Sequence, residues 1–144
     1  MSIKLKLNGF EELFKQIEQA GGTIDRAAES CLKQSAQIMQ SELKTQMQQS
    51  GVDSDLISSM PPFEVEANGN RYTARVGYKK GAYDPNNPSD GYKVVFLNYG
   101  TPNRSKHGKV AARGFIQRAK KTASAPMKRA QKETLEKILG RLKG

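Results

Sequence analysis

Residues 98–115, NYGTPNRSKHGKVAARGF, gather the groups in this chain that could do chemistry: its one histidine, His107, a serine two positions before it, Gly100 and Gly108, and four Lys or Arg. Two reactions suggest themselves. A glycine-rich, lysine-bearing loop before a helix can cradle phosphate, and a Ser near a His can make a nucleophile and its base. Neither survives the spacing. A phosphate loop needs about four residues between its glycines and a Ser or Thr after the lysine to hold Mg²⁺. Here seven residues separate Gly100 from Gly108, and Lys109 is followed by Val110. A Ser–His pair needs a third group to orient the base, yet no acid occurs between Asp90 and Glu133.

Metal chemistry fares no better. One His and one Cys lie far apart, which leaves carboxylates alone as ligands. Asp53 and Asp55 form a turn pattern. Asp84 and Asp90, among Asn86 and Asn87, lack the spacing of a calcium loop. Glu64 and Glu66 alternate on one strand face, with Arg71 and Arg75 as cross-strand ion-pair partners. The chain reads as a non-enzyme with no cofactor. Cys31, set among Ala28, Leu32 and Ser35 at helical spacing, reads as a small buried residue.

The charge distribution is the stronger signal. Net charge is +10 over 144 residues. Residues 1–60 hold six basic and eight acidic side chains, residues 61–100 five and four, and residues 101–144 thirteen and two. Such asymmetry suits a polyanion or an acidic protein surface. Arg104, Lys106, Lys109, Lys120, Lys121, Lys128 and Arg129 are the residues placed to meet phosphates, with Arg113 and Arg118 beside them. No helix-turn-helix signature, zinc knuckle or aromatic ladder accompanies them, so such contact would be non-specific. No apolar stretch nears the roughly 18 residues of a membrane span. The start, MSIKLKLNGF, has no signal-peptide core, so cytoplasmic synthesis and use are expected.

The elements that must position these residues follow from periodicity. Ile3, Leu5 and Leu7 alternate with polar residues as in a half-buried strand. Asn8 is placed to cap a helix carrying Phe10, Leu13, Phe14 and Ile17, which Gly21-Gly22 ends. Thr23 can cap a helix of about 25 residues, whose apolar line runs Ile24, Ala27, Ala28, Cys31, Leu32, Ser35, Ile38 or Met39, Leu43 and Met47. Residues 52–62 read as a linker or short turn. FEVEA and RYTARVGY, around Asn68-Gly69-Asn70, form a hairpin, with Val65 and Ala67 sharing a face with Tyr72, Ala74 and Val76. Residues 79–92 form a long polar loop suited to ordering by a partner. The continuous apolar run at 94–97 fits a buried strand or a short helix, and is read as a strand. Phe115 opens a helix that falters near Ser124-Ala125-Pro126, where Pro126 fits the first turn of a final helix. That helix presents Met127, Ala130, Gln131, Leu135, Ile138 and Leu142. The expectation is one α+β domain over 1–144: a small antiparallel sheet packed against a long N-terminal helix and C-terminal helices.

VFLNYGT, a basic loop and then ARGFIQRA resemble the tail-component family of HK-type lambdoid phages, also described as head–tail joining, neck or tail-completion proteins. The likeness rests on Phe96, Leu97, Tyr99, Gly100 and Thr101, and on Ala112, Arg113, Phe115, Arg118 and Ala119. The opening strand, NGFEELFKQIEQ and the long helix also resemble the family's N-terminus. Two positions depart from the pattern: Asn98 stands where the family commonly has an acid, and Gly114 where it has proline. The resemblance implies a virion protein at the head–tail junction, made in the host cytoplasm and assembled as a ring. Six subunits are expected and twelve are the alternative. Its neighbours would be connector or stopper proteins and tail-terminator or tail-tube proteins, with transient DNA contact and no membrane. The expected subunit or partner surface comprises Tyr99, Gly100, Thr101, Arg104, Lys106, Lys109, Arg113, Phe115 and Arg118. Tyr99 and Phe115 are expected in the subunit's own core, with residues 102–110 meeting a neighbour.

Overall fold

The structure is a computed structural model that describes residues 2–69, 71–79, 89–101 and 111–144. In chain order it holds β1 (Ser2–Lys6), α1 (Glu11–Gln19), α2 (Ile24–Gln49), α3 (Ser54–Ser58), β2 (Glu64–Asn68), β3 (Arg71–Gly77), α4 (Asp90–Tyr99) and α5 (Phe115–Lys143). The three strands form one antiparallel sheet in the order β1-β3-β2. The α+β architecture expected from periodicity is the one observed.

Alternation sets the sheet's two faces. Ile3, Leu5, Ala74 and Val76 point inward, in the register Ile3 to Val76 and Leu5 to Ala74. Val65 and Ala67 face Ala74 and Tyr72 on the same side, as the hairpin pattern required. The inward face packs on Leu32, Ala36, Met39, Leu43 and Met47 of α2. A second apolar cluster joins Ile17 of α1 to Ala27 and Cys31 of α2 and to Leu135 and Leu139 of α5.

Helices α2 and α5 form the backbone of the core. They run antiparallel, since Arg118 early in α5 bonds Gln46 late in α2, while Gln131 reaches back to Ser35. Their buried residues recur at spacing four. One such row in α2 is Ala27, Cys31, Ser35, Met39, Leu43 and Met47, and in α5 it is Phe115, Ala119, Ala123, half-buried Met127, Gln131, Leu135 and Leu139. Rows at that spacing are the i±4 ridges that interdigitate in helix packing. A buried polar cluster sits within the interface: Gln131 Nε2 donates to Ser35 Oγ at 2.7 Å, Ser35 Oγ donates to the Cys31 carbonyl at 2.9 Å, and Cys31 Sγ approaches the Gln131 carbonyl at 3.5 Å.

Several local expectations change. Residues 90–99 are helical, so the strand read at 94–97 is corrected, as is the loop reading for residues 90–92. Burial of Gly91, Val94 and Asn98 at spacings of three and four overrides the β propensity of Val94 and Val95. Helix α5 is continuous through Pro126 rather than two helices. Proline removes one backbone bond, but Thr122, whose carbonyl it frees, is exposed to water. Buried contacts on both sides of the proline hold the helix together. Leu139, not Leu142, ends its buried face, and Leu142 is 39% exposed. The linker at 52–62 contains α3, whose start is capped by Asp53 accepting from the Asp55 N–H at 2.9 Å. Phe10 rather than Asn8 holds the N-cap position of α1, and Thr23 occupies that of α2 without a side-chain bond. Glu64 lies opposite Arg75, but its ion pair is with Lys79 at 3.1 Å. Glu66 lies opposite Thr73, and Arg71 opposite Asn68.

Candidate interaction surface at the α4–α5 junction

The two halves of the 96–119 stretch meet where α4 ends and α5 begins. A helix leaves its last carbonyls and first N–H groups without internal partners, and here each end serves the other. The Arg113 N–H donates to the Leu97 carbonyl and the Gly114 N–H to the Asn98 carbonyl, both at 3.0 Å. Asn98, 1% exposed, accepts the Ile116 N–H on Oδ1 at 2.8 Å. It therefore caps α5 from 18 residues upstream in sequence. An aspartate at this position could make the same bond and add charge at the positive end of the helix. Asn98 Nδ2 is buried and finds no partner among the described residues.

Two glycines make this junction possible. Gly100 closes α4 at φ 78° and ψ 174°, a backbone region essentially reserved for glycine, while its N–H reaches the Phe96 carbonyl at 2.8 Å. Gly114, at φ 62° and ψ 24°, enters α5 in the left-handed conformation. Proline, held near −65°, cannot adopt it. A proline at 114 would therefore require a different backbone path into the helix.

The junction also fastens the end of α2. Arg113 Nη1 donates to the Ser50 carbonyl at 3.2 Å. Arg118 donates through Nε to Gln46 Oε1 at 3.2 Å, through Nη1 to the Arg113 carbonyl at 2.6 Å, and through Nη2 to Ser50 Oγ. Ser50 is the C-cap of α2, where cations complement the helix dipole and free carbonyls. Both arginines read as contact residues from sequence therefore bond within their own chain.

Phe115 is fully buried, as expected. Tyr99 is not: it is 56% exposed, against the expectation of a core residue. The cause is the helix. A turn of about 100° per residue puts Asn98 on the buried face and Tyr99 off it, whereas the expectation assumed a strand. Thr101 is half-buried beside Gly100. Arg104, Lys106, His107 and Lys109 lie outside the described residues, as do residues 80–88.

The remaining basic residues do not join this cluster. Lys120, Lys121, Lys128 and Arg129 are exposed along α5. Lys121 and Lys128, seven apart, share one face about 10 Å from each other along the axis. Lys132 continues that row and pairs with Glu136 at 3.9 Å. Among the described residues no group of three or more His, Cys, Asp or Glu could hold a metal ion, and no helix is long and apolar enough to cross a membrane.

Compared with known proteins, the chain matches no family model, no curated protein and no solved structure.

Proposed function

We propose that this chain is a structural virion protein of a tailed phage or prophage, which joins head to tail or completes the tail end as a homo-oligomeric ring. The observation that carries the reading is the 96–119 stretch, whose resemblance to the tail-component family covers both sides of the basic loop. The α4–α5 junction supports it physically. Here residues of the pattern on both sides meet, with Arg113 and Gly114 hydrogen-bonded to the end of α4. Tyr99 stands exposed at the rim, and aromatic side chains of this kind are enriched at protein interfaces. The role asks for no catalytic group. Electron micrographs of phage lacking the gene test it: separate heads and tails are expected, and complete joined virions would refute it.

A second reading, non-specific nucleic-acid binding, is favoured by one observation: Lys120, Lys121, Lys128 and Arg129 are all exposed on one long helix. Titration with duplex DNA at about 50 and 200 mM salt tests it, since phosphate contacts lose affinity steeply over that range. Absence of binding at the lower salt removes this reading.

A further inference from the structure

The outer face of the sheet is polarised from edge to edge. Lys4 and Lys6 project from β1, and Glu64 and Glu66 from β2, with β3 between them. The register aligns them in rows: Lys4, Arg75 and Glu64 in one, Lys6, Thr73 and Glu66 in the next. Among the described residues no strand pairs with the outer side of β1 or β2. Each edge is thus a five-residue strand whose outer backbone groups meet no strand among the described residues, with two like charges at period two.

From this arrangement we infer that the two edges are made for each other, with β1 of one copy pairing with β2 of the next to extend the sheet from subunit to subunit. An unpaired edge is a template for another strand, and the charges choose which strand. A twofold contact of β1 with β1 would set lysines against lysines, and one of β2 with β2 would set glutamates against glutamates. Like charges across a strand pair are destabilising, and opposite charges favourable. The unlike pairing also matches the inner face, where Ile3 and Leu5 of β1 are buried but Val65 and Ala67 of β2 are only half-buried. Glu64 is already engaged by Lys79 at 3.1 Å, so Glu66 carries more of the selectivity. A head-to-tail contact uses two different patches of one chain and closes into a ring when the rotation allows. The inference supplies a subunit contact for the ring proposed above and rests on that reading only for the ring's role in a virion.

The test is sedimentation velocity of the full chain over a range of concentrations and salt. Circular dichroism confirms that each variant is folded. Wild type is expected to self-associate, less so in high salt. K4E/K6E and E66K are each expected to weaken association at least tenfold, and an equimolar mixture of the two to restore part of it, because one junction between the two variants keeps the wild-type charges and the other again sets opposite charges at position 66. E66K is used alone because it leaves the Lys79–Glu64 pair intact. A wild type that stays monomeric throughout would overturn the edge pairing, as would variants that assemble as well as wild type or a mixture that restores nothing. None of these results bears on the micrograph test, whose failure would remove the virion role and leave the edge pairing standing.

Discussion

The α2–α5 interface and the outer face of the sheet are built on opposite principles. Between the helices, rows at spacing four bury almost everything they carry, and the polar groups Ser35, Gln131 and Cys31 satisfy one another. On the outer sheet face, charges stand in rows, and among the described residues no strand covers the two edges. The first surface is complete within one chain. The second is where a neighbouring copy is proposed to add. Stability should therefore concentrate in the helix pair and the residues that anchor it, and association in the sheet.

The largest effect should come from Phe115→Ala, which empties a fully buried ring site at the start of α5. A loss of about 3–5 kcal/mol is expected in urea unfolding. A loss below about 1 kcal/mol would mean that α5 is not anchored there.

Ser35→Ala comes next, at about 1–3 kcal/mol, because it strands the buried Gln131 amide. Coupling this change with Gln131→Leu in a double-mutant cycle sharpens the point, since removing both partners should cost less than the sum of the two single changes. Simple additivity would show that the polar cluster adds nothing to the helix pair.

Asn98→Ala should cost about 1–2 kcal/mol through loss of the α5 cap. Asn98→Asp keeps the acceptor and should recover most of that loss at neutral pH. Equal stability of the two variants would show that the capping bond contributes nothing.

Alkaline pH probes the interior without mutation. Burial pushes the Cys31 thiol up to about 12. Tyr72 is also raised to about 12, chiefly because its hydroxyl donates to Asp25 at 2.7 Å, and Tyr78 to about 12 by burial. Each group holds its proton more tightly folded than unfolded. Their contribution is therefore full below the unfolded values near 9 and 10 and is lost as pH rises toward 12. Unfolding midpoints should fall across that window, and native Cys31 should resist alkylation at pH 8. A flat profile would contradict this. The smallest effect is expected from Lys4→Ala with Lys6→Ala, which should leave the melting temperature nearly unchanged. A large drop would show that the outer face also holds the subunit together.

Periodicity made most of the fold legible. The alternation of β1, the hairpin and its shared face, and the buried line of α2 all depend on spacing within one element, where side-chain direction follows from backbone period alone. Phe115 could be placed for the same reason. Residues 93–99 could not, because a short continuous apolar run fits either period. Reading it as a strand put Tyr99 inside when it stands outside. Pro126 misled for a related reason, since a local rule about proline does not count the burial against α2 that carries α5 through it.

By itself the sequence determined the α+β class, the partition of charge into the last third, and the lack of spacing for phosphate-loop or triad chemistry at residues 98–115. Tertiary structure alone decided the roles of single polar residues. Asn98 became the cap of a helix that starts 17 positions later, and Arg113 and Arg118, which looked like free cations for a partner, became clasps on the end of α2. Opposite charges fell on opposite edges of one sheet. Each of these depends on which distant chain segment lies within hydrogen-bond or pairing distance. That is settled by how the two long helices and the sheet pack, not by the order of residues along any one of them.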